Sequence, residues 1–204
     1  MPRPVAFWFE FASTYSYLSA MRVDAEAEAR GVQVIWKPFL LGPIFKAQGW
    51  ETSPFSIYPE KGENMWRDLE RRTAKYGIPF DRSAMTRFPQ NSVLAARTAM
   101  ACLHEDWGRE FCRLVFRAAF ADGRDISEPD VIAACLQAAG GTPQIYLHMA
   151  HSDAQKQALR DTVEEARSRK IYGAPSFTVD GELFWGDDRL EDALDWTTGT
   201  KGDA

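Results

Sequence analysis

The apolar residues follow a strand rhythm at both ends of the chain and a helical rhythm through its middle. Residues 5–11 (VAFWFEF) are aromatic and almost continuously apolar, as in a strand covered on both faces. Ser13 or Thr14 can cap a helix running to about Ala29, with Leu18, Met21 and Ala25 on one face and Gly31 closing it. Residues 32–36 (VQVIW) read as a second strand, so the chain opens strand–helix–strand, with its ligand end at the first strand-to-helix turn. From Gly42 to Glu63, three prolines (Pro43, Pro54, Pro59) with glycines and aromatics predict an irregular connection. Helical patterns then dominate. Residues 64–76 are charged and amphipathic, and Val93, Ala96, Met100 and Leu103 recur at helical spacing. Residues 111–120 are apolar nearly all round and predict the centre of a bundle. Val131, Cys135 and Ala138 form a short helix closed by Gly140, and a long charged helix spans Ser152 to Lys170. Strand character returns at 176–179 and 182–185, two short segments around the Asp180–Gly181 turn, before a closing helix over 187–196.

Neither flank makes a sheet alone. Together they supply four strands and two helices, the inventory of a thioredoxin-like domain. The expected fold class is α/β: a discontinuous thioredoxin-like domain from residues 1–42 and 171–204, carrying a large all-helical insertion over 43–170.

Composition narrows the function. The 204 residues are 45% hydrophobic and 26% charged, as in an ordinary globular protein, and the formal charge of −5 argues against a nucleic-acid partner. No stretch approaches the roughly 20 apolar residues of a membrane span, so no membrane partner is expected. The first residues lack the apolar run of a signal peptide, and a cytoplasmic location is expected. Cys102, Cys112 and Cys135 are an odd count without CxxC spacing. They read as buried thiols in a reducing compartment, with neither a disulfide nor a metal site.

Two places could carry chemistry. The first is Ser13–Thr14–Tyr15–Ser16, at the junction of strand and helix. Redox proteins of this fold place CxxC at that turn, where the helix N-terminus stabilises a thiolate. SxxS keeps the spacing but has no sulfur, so disulfide exchange through it is impossible. A hydroxyl and free N–H groups there can still hold an anion brought from outside, although Ser13 can equally be a plain cap. The second is Ala174–Pro175, entering the third strand, where a cis proline would expose backbone to an extended, peptide-like ligand. Asp187 and Asp188 open the last helix, either as caps or as acceptors of an ammonium group.

These features resemble the 2-hydroxychromene-2-carboxylate isomerases and the related kappa-class glutathione transferases, DsbA-like members of the thioredoxin superfamily. The resemblance runs through FWFEFASTYSYL (7–18), KPFLLG (37–42) with IFK (44–46), PEKG (59–62), FPQNS (88–92) and GELFWGDDRL (181–190). It implies glutathione as cofactor, a small aromatic substrate and a homodimer. By position it puts Ser13 at the glutathione sulfur, Ala174 beside Pro175 at the cysteinyl backbone, Asp188 (with Asp187) at the γ-glutamyl ammonium, and Lys61 at the glycyl carboxylate. Trp50 stands where a glutathione contact is common. Glu10, Thr14 and Trp50 depart from the usual Asp, Pro and Asn. At the substrate end, Lys46 and Arg87 are candidate cations, Asn91 a neutral donor, and Phe88 with Trp50 an aromatic wall. The implied reaction interconverts 2-hydroxychromene-2-carboxylate and trans-o-hydroxybenzylidenepyruvate by reversible thiolate addition. A conjugating transferase, a thiol–disulfide oxidoreductase and a non-catalytic binding protein are the alternatives, and the missing CxxC opposes the oxidoreductase.

Overall fold

The first strand, β1 (Val5–Phe9), takes the middle of the sheet because it is apolar on both faces, with Val5, Phe7, Trp8 and Phe9 fully buried. The computed structural model describes residues 3–197 and 199, so residues 1–2, 198 and 200–204 of the expected thioredoxin-like segments lie outside the described residues. After α1 (Thr14–Ala29) the chain returns as β2 (Val34–Pro38), parallel to β1 with Val5 opposite Val34. The hairpin β3 (Ser176–Val179) and β4 (Glu182–Trp185) completes the sheet in the order β2-β1-β3-β4 among the described residues. β3 runs antiparallel to β1, with Phe177 opposite Phe7. A 3₁₀ turn (Asp187–Arg189) then leads into the closing helix.

Between the flanks come α2 (Leu41–Ala47), α3 (Pro54–Ile57), α4 (Pro59–Tyr76), α5 (Val93–Cys102), α6 (Gly108–Phe120), α7 (Pro129–Ala139), α8 (Pro143–His151) and α9 (Asp153–Ser168). The closing helix is α10 (Leu190–Thr197). This is the thioredoxin-like fold with a helical insertion.

Several local expectations change. Residues 42–63 are not irregular: they hold α2, α3 and the first turn of α4. Pro54 and Pro59 stand in the opening turns of α3 and α4, where a missing N–H leaves no helical bond unmade. The first strand stops at Phe9, not Phe11, because Glu10 turns the chain: its carbonyl accepts from Ser13 N–H at 2.9 Å. The second begins at Val34, two residues late, since Val32 N–H is bound to Ala27 O at the end of α1. α8 was not expected; it buries only Ala150 and so has little apolar rhythm to read.

Alternation along β1 divides the core. Phe7 and Phe9 point to one side, where Phe9 and Phe11 meet Phe116 of α6 at 5.9 and 4.9 Å between ring centroids. Trp8 points to the other, against Phe39 and the α9 residues Val163 and Ala166. The inserted helices therefore share the core of the sheet, and α2 itself runs across residue 42.

Candidate active site

α1 begins where β1 ends, and Ser13 is its N-cap. The Ser13 Oγ accepts from Ser16 N–H at 3.1 Å and donates to the Ala174 carbonyl at 2.9 Å. The second bond joins the two regions singled out in the sequence, 161 residues apart in the chain. The Ala174–Pro175 peptide is cis, as is Phe88–Pro89. Pro175 is held in turn, its carbonyl accepting from Gly186 N–H at 3.0 Å.

Around this junction opens a cavity of about 1230 Å³. Ser13, Ala174, Pro175, Asp187 and Asp188 lie on its wall, and so do Lys61, Trp50, Phe88 and Asn91. Lys46 does not: it is exposed on α2 and turned off the wall, while its neighbour Phe45 lines it. Arg87 is also off the wall, exposed and 4.0 Å from Asp125.

The two adjacent aspartates differ sharply. Asp187 is 1% exposed, with one oxygen taken by Ser19 Oγ at 3.0 Å and Arg22 at 3.3 Å and the other by Arg72. Burial raises its carboxyl above the ordinary value, and the guanidiniums of Arg72 and Arg22 offset only part of that rise. With two cations in contact, the ionised form is the one this geometry fits. Both oxygens of Asp187 thus already have partners within the chain. Asp188 is half exposed and, among the described residues, has only Arg189 at 3.7 Å as an ion-pair partner, a contact that contributes little in solvent. Its position depends on Gly186, whose φ is 116° and where a Cβ would stand 2.4 Å from Asp188 Oδ1. Lys61 lies over the Tyr58 ring at 4.7 Å and makes no ion pair among the described residues.

The structure adds residues that sequence reasoning missed as site residues. Tyr15 faces the cavity and donates to Asp68 at 3.1 Å; burial and that carboxylate raise its hydroxyl pKa well above the ordinary value. Glu10 lies on the cavity floor. Its oxygens accept from Leu41 N–H at 2.9 Å, Ala12 N–H at 3.3 Å and the Ser92 hydroxyl, and burial raises its pKa despite these bonds. Asp68 and Arg72 are one turn apart on α4, a spacing too common on exposed helices to mark a site.

The chain supplies no thiolate here. Cys102, Cys112 and Cys135 are buried free thiols, and burial raises all three, Cys102 to about 12 and Cys135 to about 11. Among the described residues, no group of His, Cys, Asp and Glu could hold a metal ion, and no helix is long and apolar enough to cross a membrane. A hydroxyl at a helix N-terminus, a side-chain cation without an acidic partner and a half-exposed carboxylate thus share one cavity. They can take a thiolate, a carboxylate and an ammonium group.

Comparison with known proteins agrees with this architecture. The chain is 26% identical to a 2-hydroxychromene-2-carboxylate isomerase of Sphingobium xenophagum, over 94% of this chain and 96% of that protein. It is also 26% identical to glutathione S-transferase kappa 1 of Homo sapiens, over 94% and 89%. A solved 2-hydroxychromene-2-carboxylate isomerase superposes with a TM-score of 0.84 at 24% identity, covering 96% of this chain and 94% of that one. The model of the DSBA-like thioredoxin domain matches residues 4–195, and the chain belongs to that family.

Proposed function

We propose that the protein is a glutathione-dependent cis–trans isomerase of an aromatic compound with a conjugated carbonyl. The names of the isomerase relatives supply 2-hydroxychromene-2-carboxylate as the first member of that class to assay. The observation that carries the reading is the Ser13 hydroxyl, which caps a 16-residue helix on the wall of a cavity that no cysteine lines among the described residues.

The donor set fits the tripeptide. Lys61 receives the glycyl carboxylate, Asp188 the γ-glutamyl ammonium, and the Ala174 backbone the cysteinyl unit. Bound glutathione supplies a thiolate that adds reversibly to the conjugated carbon, so that the former double bond can rotate before elimination restores it. Ser13 donates its hydroxyl hydrogen to the sulfur in place of the Ala174 carbonyl, and the N-terminal N–H groups of α1 add the positive end of the helix dipole. Asn91 donates to the substrate carbonyl oxygen as charge develops there, while Phe88 and Trp50 cover the aromatic ring. Pairing into a homodimer and a cytoplasmic location belong to the same proposal; three free thiols suit a reducing compartment.

The kappa transferase relative favours one second reading, in which the thioether is released. Net consumption of glutathione during turnover separates conjugation from isomerisation. The Ser13 role is tested with Ser13→Ala. A hydrogen bond to a charged group contributes about 1.5–3 kcal/mol, so the pKa of bound glutathione should rise by about one to two units. Thiolate absorbance of the bound tripeptide reads this directly, and Ser16→Ala should move it less. An unchanged value in Ser13→Ala removes the assignment. The lost cap should also lower stability by about 1 kcal/mol, measured by urea unfolding.

A further inference from the structure

Among the described residues the cavity wall carries more acidic than basic side chains, and two of its three cations are paired within the chain. Among the described residues the basic side chains on its wall are Lys61, Arg72 and Arg189, against Glu10, Glu51, Asp68, Asp187 and Asp188. Arg72 is bound to Asp187, and Arg189 to Asp192 at 2.8 Å. That leaves Lys61, which the proposed reaction assigns to glutathione. The two cations that could have served a substrate carboxylate, Lys46 and Arg87, are both off the wall. What remains near Phe88 is neutral: the side-chain oxygen of Asn91 accepts from Val93 N–H at 3.1 Å, which leaves its NH₂ group to donate. Gln90 is held by the chain, with one amide hydrogen on Arg124 O and its oxygen accepting from Ile126 N–H.

Resting on the glutathione-dependent reaction above, we propose that the preferred substrate is an uncharged aromatic enone and not a carboxylate-bearing one. One neutral donor answers one carbonyl oxygen, and the aromatic wall answers the ring. A second anion in the cavity shares it with Glu51, which has no ion pair among the described residues, and finds no uncommitted wall cation there to compensate its lost hydration.

The preference is read by binding. Benzylacetone and benzylpyruvate differ only in a methyl group against a carboxylate, and both lack the reactive double bond. Each is titrated into full-length protein loaded with S-methylglutathione, following the fluorescence of the cavity tryptophans Trp50 and Trp185. Benzylacetone should bind about fivefold more tightly, the effect of one modest like-charge contact. Equal or tighter binding of benzylpyruvate overturns the inference, as does failure of both to bind. In parallel, cis-benzylideneacetone and cis-benzylidenepyruvate are followed to their trans forms with glutathione. If one isomerises while benzylpyruvate binds more tightly than benzylacetone, the substrate preference alone is wrong. If neither isomerises, the reaction falls and takes this inference with it.

Discussion

Glu10 shows how one buried side chain can be both scaffold and liability. Its carboxyl ties the end of β1 to the first N–H of α2 and to Ser92, just before α5, and so fixes the cavity floor. It is 5% exposed, and burial outweighs the hydrogen bonds and raises its pKa above the ordinary 4.5. When protonated, its hydrogen points to the Ser92 oxygen, since the N–H partners cannot accept. Folding thus favours the protonated form. That contribution is complete below the unfolded-state pKa and is lost as pH rises through the folded-state one. Glu10→Gln should therefore flatten part of the stability loss as pH rises above the ordinary carboxylate range. The measurement is the urea midpoint of both proteins across that rise. Parallel curves would show that Glu10 titrates alike in the folded and unfolded chain.

At the scale of elements, Asp187 is the joint at which α1, α4 and the turn before α10 meet, through Ser19, Arg22 and Arg72. Asp187→Asn keeps the shape but leaves two guanidiniums short of a counter-charge, though Arg22 retains Glu191. A loss of about 3 kcal/mol is expected, while exposed Asp188→Asn should stay within about 0.5 kcal/mol. Glutathione binding should follow the opposite order, weakened in a folded Asp188→Asn protein. Equal unfolding midpoints for the two variants would contradict the division of roles. The sequence carried the segments whose signals are local: the hairpin at 176–179 and 182–185, and the serine at the helix start. It hid the other half of the cavity. Pro54 and Pro59 suggested breaks where they start helices, and Phe45, Tyr15, Asp68 and Arg72 meet only after α2–α4 fold back over the first turn of α1. Lys46 was a candidate substrate cation by its place in the IFK stretch, but Phe45 next to it takes the wall, and adjacent positions on a helix point about 100° apart.

For the whole molecule, the question is whether the segments 1–42 with 171–204 and the block 43–170 are folding units or only a description of chain order. The aromatic stack argues for chain order. Phe9 and Phe11 from the first segment, Phe116 and Phe120 from the block and Phe177 from the last segment belong to one continuous buried cluster. Tyr17 stacks on Phe120 at 5.4 Å and bonds the Pro79 carbonyl, tying α1 to the block a second time. A sheet stripped of the block would expose these rings, and a block stripped of the sheet would lose the partners of α6. Unfolding should therefore be a single transition, with helix content by circular dichroism and tryptophan fluorescence changing at the same denaturant concentration. Phe116→Ala, which empties the centre of the stack, should remove about 3–5 kcal/mol and move both signals together. If the helical signal outlasts the fluorescence change, or only one of the two shifts in Phe116→Ala, the block is an independent domain and the shared core does not bind the halves into one unit.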